Sequence, residues 1–220
     1  MQRTAVLLAG LISLTASSAS AQALDGRLKT IAATKSIAIA HRTDAPPFSF
    51  VDAGKEPAGF TIDLCRRIVA SIERQLGIQG LKVRYVPVTT QTRFDAIVKG
   101  QADLECGAST ITLSRMKTVD FSSVIFMNTT GLLVRRASGA KSLSDLAGKR
   151  IAAVRGTSNE NALASQLARQ QIKATVVQVG TSEEAIAALD AGNVDAFASD
   201  TVLLVGSTAR SKDPNALALL

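Results

Sequence analysis

Residues 81–107 read LKVRYVPVTTQTRFDAIVKGQADLECG, and this stretch decides the fold. Residues 81–86 alternate apolar and polar side chains as a strand does, and residues 94–98 form a short helical segment that ends at Gly100. A second strand is predicted over residues 102–107. A strand, a helix and a strand joined in this way form a parallel pair with a right-handed crossover. The stretch therefore predicts an α/β protein built on parallel sheets.

Units of the same kind are predicted on both sides of this stretch. Upstream, a strand over residues 36–40 precedes a helix that Gly77 and Gly80 are expected to end. The expected apolar face of that helix, with one residue every four positions, consists of Leu64, Ile68, Ile72 and Leu76. Downstream, further strands and helices alternate, with strands over 149–154, 174–179 and 194–200 and helices over 159–171 and 182–191.

The pattern restarts near residues 131–134, which divides the chain into two similar halves. We expect a first lobe over residues 22–132, a second lobe over residues 133–220, and a hinge near residues 131–137 because few residues there need to belong to either core. Removal of residues 1–21 would leave enough chain for two small cores.

The first 21 residues have the pattern of a secretory signal peptide. Arg3 precedes an apolar run over residues 5–14, and Ala19-Ser-Ala21 has the small residues that a signal peptidase needs. The run is shorter than the about 20 apolar residues that span a membrane. We therefore expect cleavage after Ala21, a soluble mature chain and a periplasmic location.

Charge and composition exclude several functions. The net charge of +7 comes from Lys and Arg residues that are scattered along the chain without stacking aromatics among them, so nucleic-acid binding is not expected. His41 is the one histidine, which leaves no partner for a zinc cluster, and neither a metal nor another cofactor is expected.

Cys65 and Cys106 are the two cysteines. In an exported protein a pair of cysteines is more often a disulfide than a metal site. Cys65 lies in the first long helix and Cys106 at the end of a strand of the same lobe, so the helix packed on the sheet could bring the two together. The sequence predicts this disulfide, and two buried free thiols are the alternative.

Several segments together give the chain a resemblance to the family 3 extracellular solute-binding proteins, in particular to the glutamate/aspartate type. They occur in the family's order between residues 30 and 205, and they are Pro46-Pro-Phe-Ser-Phe50, Gly59-Phe-Thr-Ile-Asp-Leu64, Thr90-Gln-Thr-Arg93, the run from Asp103 to Arg115, Val119-Asp-Phe-Ser122, Leu143-Ser-Asp-Leu-Ala-Gly-Lys149 and Arg155-Gly-Thr-Ser158. The resemblance implies the type II periplasmic-binding-protein fold: two α/β lobes, each a mainly parallel sheet flanked by helices, with a ligand cleft between them.

The resemblance also implies which residues hold an amino acid in that cleft. Arg115 matches the arginine that binds the α-carboxylate, and Asp200 matches the acid that accepts from the ammonium group. Hydroxyl and backbone donors are expected after the strand end and at the start of the second lobe's helix, where helix N–H groups suit an anion. These residues are Thr90, Ser109, Thr110, Thr157 and Ser158.

The side-chain pocket indicates which amino acid is bound. Relatives that bind lysine or arginine carry an Asp where this chain has Arg42 and an aromatic residue where it has Ala45. Arg93 lies where the glutamate/aspartate type keeps a second arginine. Two arginines that face one side-chain carboxylate predict an acidic amino acid, because an unpaired buried charge is strongly disfavoured.

The resemblance therefore implies a monomeric, non-enzymatic binding protein that delivers an amino acid to the membrane permease of an ABC importer. A dehydratase-like enzyme on the same fold is an alternative, with Glu105 or Glu160 as the general acid, although Glu105 lies within a strand and Glu160 within a helix. The ligand-binding domain of a sensor is a further alternative. Binding of amino acids without turnover would favour transport.

The family's chain crosses back to the first lobe after the second lobe's last strand. Here Leu220 follows soon after the Asp200 segment, so we expect a C-terminally truncated chain that has a single hinge strand and an uncovered apolar patch on the sheets.

Overall fold

A computed structural model of the protein describes residues 24–220, so the predicted signal peptide lies outside the described residues. The α-helices are α1 (Gly26–Thr34), α2 (Phe60–Leu76), α3 (Arg93–Val98), α4 (Ser158–Arg169), α5 (Ser182–Asp190) and α6 (Thr201–Thr208). The strands are β1 (Ser36–Arg42), β2 (Asp44–Ala45), β3 (Ser49–Val51), β4 (Pro57–Ala58), β5 (Lys82–Val88), β6 (Leu104–Cys106), β7 (Thr130–Arg135), β8 (Arg150–Val154), β9 (Thr175–Val179), β10 (Ala196–Asp200) and β11 (Leu217–Leu219). Single 3₁₀ turns cover Arg115–Lys117, Arg136–Ser138, Leu143–Leu146 and Pro214–Ala216.

The first lobe is built on a parallel sheet in the order β5-β1-β6. Strand β1 lies in the middle, with Ile39 beside Tyr85 on one side and Leu104 on the other. Helix α3 crosses from β5 to β6, so the predicted strand–helix–strand unit is confirmed. One face of the sheet packs on α1 and α2, and the other packs on α3. A small antiparallel sheet, in the order β2-β3-β4, follows β1.

The second lobe is a five-stranded sheet in the order β11-β7-β10-β8-β9. The three strands predicted in this half form its parallel part, because β8 pairs in parallel with both β9 and β10. Strand β7 joins antiparallel to β10, and β11 joins antiparallel to β7. Helices α5 and α6 cover one face of the sheet around Phe197, and α4 covers the other face. The predicted lobe boundary after residue 132 falls inside β7, and it stays a prediction.

The predicted apolar face of α2 is partly wrong. The side chains that reach the sheet are Ile62, Cys65 and Val69, followed by the partly buried Ile72 and Leu76. Leu64 and Ile68 point elsewhere, and Ile68 is 40% exposed. The helix carries two adjacent apolar faces, and the narrow sheet covers the first of them. Spacing alone cannot tell the two faces apart, because both recur at helical intervals.

The second apolar face of α2 forms one wall of an open groove along the outer edge of β6. The groove is also lined by Phe94, Ile97 and the apolar run from Val124 to Met127. Within residues 24–220, no other strand pairs with this edge of β6. The first lobe therefore has an apolar surface where most globular domains have a covered sheet edge.

The described helices include none that is both long enough and apolar enough to cross a bilayer.

The predicted disulfide is confirmed. Cys65 of α2 and Cys106 of β6 are bonded, with their Cα atoms 6.4 Å apart. Both cysteines lie in the apolar layer between the helix and the sheet, next to Ile62. The bond closes a loop with a sequence separation of 41 residues. This loop contains β5 and α3, so one cross-link restrains most of the first lobe.

We expect the double variant Cys65→Ala/Cys106→Ala to lower the free energy of unfolding by about 4 kcal/mol, because an unfolded chain without the loop gains that much conformational entropy. Urea unfolding of both proteins, with and without a reducing agent, measures the loss. The reducing agent should destabilise the wild type by a similar amount and leave the double variant unchanged. A loss below about 1 kcal/mol would show that the loop constraint contributes little.

Candidate functional site

A narrow cleft lies between the two lobes, at the carboxyl ends of the parallel strands. Ligands bind at this edge in open α/β sheets. The cleft is lined by Arg42, Thr90, Arg93, Ala108, Thr110, Arg115, Val154, Thr157, Ser158, Asn159, Ser182, Ser199, Asp200 and Leu203. Eight of the nine predicted ligand-binding residues are among them, and Ser109 lies directly behind Arg93. Their individual roles stay predictions.

Arg93 is held rigidly at the start of α3. Its Nε donates to the Ser109 hydroxyl at 2.7 Å, its Nη1 donates to the Thr90 carbonyl, and its Nη2 faces the Gly156 carbonyl at 3.4 Å. The residue is only 3% exposed. Burial, together with the charges of Arg115 and Arg42, lowers the pKa of Arg93 to about 10, while Glu105 opposes the shift. The guanidinium group of Arg93 is therefore positively charged at neutral pH, and the negative charge of Glu105 offsets the effect of burial and of the nearby arginines only in part.

Arg115 shares an aromatic surface with Arg93. Both guanidinium groups lie over the Phe94 ring, at 4.5 Å for Arg93 and 5.2 Å for Arg115, within the range of cation–π attraction. Arg115 donates to the Thr110 carbonyl at 2.8 Å and to the Gly156 carbonyl at 3.1 Å. Burial lowers the pKa of Arg115, and the charges of Glu105 and Asp200 raise it. Phe94 thus fixes two like charges side by side, facing the cleft.

Arg42 has a carboxylate partner of its own. Its Nε donates to Asp44 Oδ1 at 2.7 Å, and Nη2 forms an ion pair with the same oxygen. Both side chains are buried, at 8% and 6% exposure. Asp44 Oδ2 accepts the backbone N–H of Ser182, at the first turn of α5 in the other lobe, at 3.2 Å. The charge that the sequence assigned to the ligand pocket is therefore balanced within the protein, and it also helps to join the two lobes.

The second lobe contributes mainly backbone groups to the cleft. The Arg155 carbonyl accepts from the Thr90 hydroxyl at 2.9 Å and from the Gln91 amide at 3.0 Å. The hydroxyls of Thr110 and Ser158 lie 2.8 Å apart across the cleft. Thr157 caps α4: its hydroxyl accepts from the Glu160 N–H at 3.1 Å and donates to the Val154 carbonyl. That hydroxyl is therefore already used within the protein, and the N-terminus of α4 that it caps lies beside the cleft.

Asp200 lies at the end of β10, half-buried and close to Arg115. Burial raises the pKa of Asp200, while a hydrogen bond with Asn159 and the charge of Arg115 lower it. Asn159, in the first turn of α4, also accepts from the Thr130 hydroxyl at 2.5 Å. The Asp200 carboxyl group thus lines the cleft, with Asn159 beside it and the charge of Arg115 nearby.

Three polar residues that line the cleft are not among the predicted ligand-binding residues: Asn159, Ser182 and Ser199. Asn159 positions Asp200, and the Ser182 backbone N–H binds Asp44. Asn159 follows the Arg155-Gly-Thr-Ser158 segment directly, in the first helical turn, and that place could have drawn attention to it. The Ser182 contact joins residues 138 positions apart and leaves no sequence signal. Among residues 24–220, no three His, Cys, Asp or Glu side chains converge in a way that could hold a metal ion.

Two lobes of parallel-sheet α/β structure around a cleft lined with arginines define the two-lobed class of periplasmic binding proteins. Residues 37–162 match the bacterial extracellular solute-binding proteins, family 3. The chain belongs to this family.

Several known proteins resemble the chain over most of its length. It is 36% identical over 197 residues to an L-glutamate/L-aspartate-binding protein of Pseudomonas aeruginosa, and 31% identical over 195 residues to a glutamate/aspartate import solute-binding protein of Salmonella typhimurium. Each match covers 89% of this chain and 65% of the relative, so the chain spans about two thirds of the length of these relatives.

A solved structure agrees with the fold. An ancestral amino acid-binding protein, described as a precursor of cyclohexadienyl dehydratase, matches with a TM-score of 0.76 at 27% identity. The match covers 89% of this chain and 81% of that protein. The predicted fold class is confirmed.

We expect Asp44→Ala to lower the free energy of unfolding by about 3 kcal/mol, because it leaves the buried Arg42 charge without its partner. Asp63 offers a matched control: it pairs with Arg66 at the surface, where the side chains are 64% and 51% exposed. Asp63→Ala should cost less than about 1 kcal/mol. Urea unfolding measures both losses, and equal losses would mean that burial of the Arg42–Asp44 pair has no energetic effect.

Proposed function

We propose that this chain is the substrate-binding component of an amino-acid ABC importer, that it works in the periplasm after removal of a signal peptide, and that it binds glutamate, aspartate or a similar acidic amino acid. The observation that carries the proposal is the pair of guanidinium groups on Phe94, opposite Asp200 in one cleft. The names of the relatives from P. aeruginosa and S. typhimurium support the same ligand class.

The charges of the cleft suit a ligand with two carboxylates and one ammonium group. Arg115 binds the α-carboxylate, and Asp200 accepts from the ammonium group. Arg93 binds the side-chain carboxylate, with Arg42 beside it. Of the three arginines in the cleft, Arg42 has its positive charge neutralised by Asp44. Arg93 and Arg115 have no such direct ion pair among the described residues. A second carboxylate on the ligand therefore removes repulsion between Arg93 and Arg115, and the amide of glutamine does not.

Closure of the lobes follows from the same contacts. Arg93, Arg115, Thr90 and Thr110 reach from the first lobe to residues 155–158 of the second. A ligand carboxylate bound by these side chains contacts both lobes at once, so the binding energy favours the closed arrangement. A permease that recognises the closed arrangement would then accept the loaded protein, and we propose a membrane permease as the partner.

We expect Arg93→Gln to weaken the binding of L-glutamate about 100-fold and that of L-glutamine less than about tenfold, because the charge pair exists only with the acid. Isothermal titration calorimetry with both ligands measures the two changes. Arg74→Gln, an exposed arginine at the end of α2, is the matched control and should change neither affinity. Similar losses for both ligands would remove Arg93 from the side-chain pocket.

Arg115→Gln should instead weaken both ligands by a similar factor, about 100-fold or more, because every α-amino acid presents an α-carboxylate. The same calorimetric series tests this contrast. A loss confined to glutamate would reverse the roles of Arg93 and Arg115, and preferential binding of lysine or arginine would contradict the acidic-ligand proposal.

A dehydratase-like enzyme is the second candidate. The likeness to the dehydratase precursor favours it, and so does Glu105, a buried carboxyl near the cleft whose pKa is raised by burial. Such an enzyme would release water from its substrate. Mass spectrometry of ligands incubated with the protein separates the two functions: ligands recovered unchanged support transport, and products lighter by one water support the enzyme.

A further inference from the structure

Glu105 is a buried acid directly beneath the arginines of the cleft. It lies in the middle of β6, between Leu104 and Cys106, which pack towards α2. Because side chains alternate along a strand, Glu105 points to the other face, on the same side as its register partner Ala40 and helix α3. Its Oε1 atom is buried and has no hydrogen-bond partner among the described residues.

The backbone beside Glu105 is shaped around the carboxyl group. A Cβ atom at Gly107 would collide with Oε1 of Glu105 and would lie 3.4 Å from the Arg42 side chain. The Ser109 hydroxyl accepts from Arg93 Nε at 2.7 Å and lies beside the Glu105 carboxyl, where it opposes the effect of burial on the pKa of Glu105. The chain Arg93–Ser109–Glu105 therefore links the cleft to a carboxylate behind it.

The charges that act on Glu105 come from the elements around it. Arg93 at the start of α3, Arg42 at the end of β1 and Arg115 in the 3₁₀ turn all favour its ionised form. Helix α2 packs on the opposite face of β6. Further charged groups line the groove on the outer side of the strand, namely Arg67, Asp103, Asp120 and Asp200. Without its arginines, a carboxylate at this depth would be strongly disfavoured.

We propose that Glu105 is the proton-binding counter-charge of the arginine cluster, and that its carboxylate takes up a proton from solvent when an acidic ligand binds. This inference rests on the proposed function. In the absence of the ligand, the arginines stabilise the ionised Glu105. When the carboxylates of the ligand compensate the same arginines, that stabilisation is lost and burial favours the neutral acid. Burial already raises the pKa of Glu105 above its ordinary value, with Arg93 as the largest opposing effect among the groups nearby.

The direction of the pH effect follows from linkage. If ligand binding promotes protonation of Glu105, protonation promotes ligand binding by the same factor. The affinity for glutamate should therefore fall as the pH rises, by up to about tenfold per pH unit between the pKa values of the free and the bound protein. Glutamine compensates one arginine fewer, so it should take up fewer protons. Because both ligands carry the same ammonium group, any proton exchange at Asp200 cancels in the comparison.

Calorimetry of L-glutamate and L-glutamine in phosphate and in Tris buffer, between about pH 6 and about pH 8.5, measures the protons taken up with each ligand. The wild-type protein should take up more protons with glutamate, by up to about one per ligand. In Glu105→Gln this difference should vanish, and the ratio of the glutamate and glutamine affinities should become independent of pH. Glu56→Gln, at an exposed turn, and His41→Asn, at the one histidine, are matched controls that should retain the difference.

Each outcome can be assigned. Binding of both ligands with equal proton uptake by the wild type overturns the role of Glu105 and leaves the proposed function intact, and this comparison does not depend on any variant. A proton difference that persists in Glu105→Gln, or disappears in His41→Asn, assigns the proton to another group and also overturns the inference. Failure of both L-glutamate and L-aspartate to bind overturns the proposed function itself. If only L-glutamine fails to bind, proton uptake with L-glutamate in the wild type and in Glu105→Gln decides the role of Glu105, and equal uptake by the two proteins overturns the inference.

Discussion

Repulsion between three buried or half-buried guanidinium groups is the constraint on which this structure depends. Arg93 loses basicity because of burial and because Arg115 and Arg42 are close to it. The protein limits this repulsion with carboxylates placed at different depths. Asp44 forms a direct ion pair with Arg42, Asp200 faces Arg115 from the other lobe, and Glu105 lies beneath all three cations. Of these three carboxylates, only Asp200 belongs to the second lobe, so Arg115 gains that counter-charge when the lobes are assembled.

Much of the fold follows from local patterns. The parallel strands of the two main sheets, the helix that Gly77 ends and the Cys65–Cys106 bond were predicted, because strand alternation, helix-ending glycines and paired cysteines in an exported chain are local or compositional signals. The antiparallel strands β7 and β11 were not predicted. The apolar face of α2 was predicted only in part, since Leu64 and Ile68 have helical spacing but lie beside the core face. The spacing of apolar residues indicates that a helix has an apolar face. Which of two apolar faces is buried depends on where the neighbouring sheet lies.

The candidate site shows a similar division. The arginines and hydroxyls of the cleft were found through family segments, and eight of the nine predicted residues line it. The partners that set their charge were less accessible to sequence reasoning. Asp44 is two residues from Arg42, yet nothing in that spacing distinguishes an ion pair from two unrelated charges. The sequence offers Glu105 only as the general acid of the alternative enzyme, and its place within a strand speaks against that role, yet the same strand places it near Arg93.

A contact at one end of the cleft has a mechanical consequence. Helix α6 of the second lobe lies against the Pro46 carbonyl of the first so closely that a Cβ atom at Gly206 would collide with it, and Leu203 joins Ala45 and Phe48 in a small apolar cluster there. Two backbones in contact have no flexible side chain between them that could yield. The contact between Gly206 and the Pro46 carbonyl therefore limits how far the lobes can rotate towards each other, whatever ligand lies in the cleft. This contact then limits the size of the ligand that the closed cleft can hold, although neither Gly206 nor Pro46 is among the predicted ligand-binding residues.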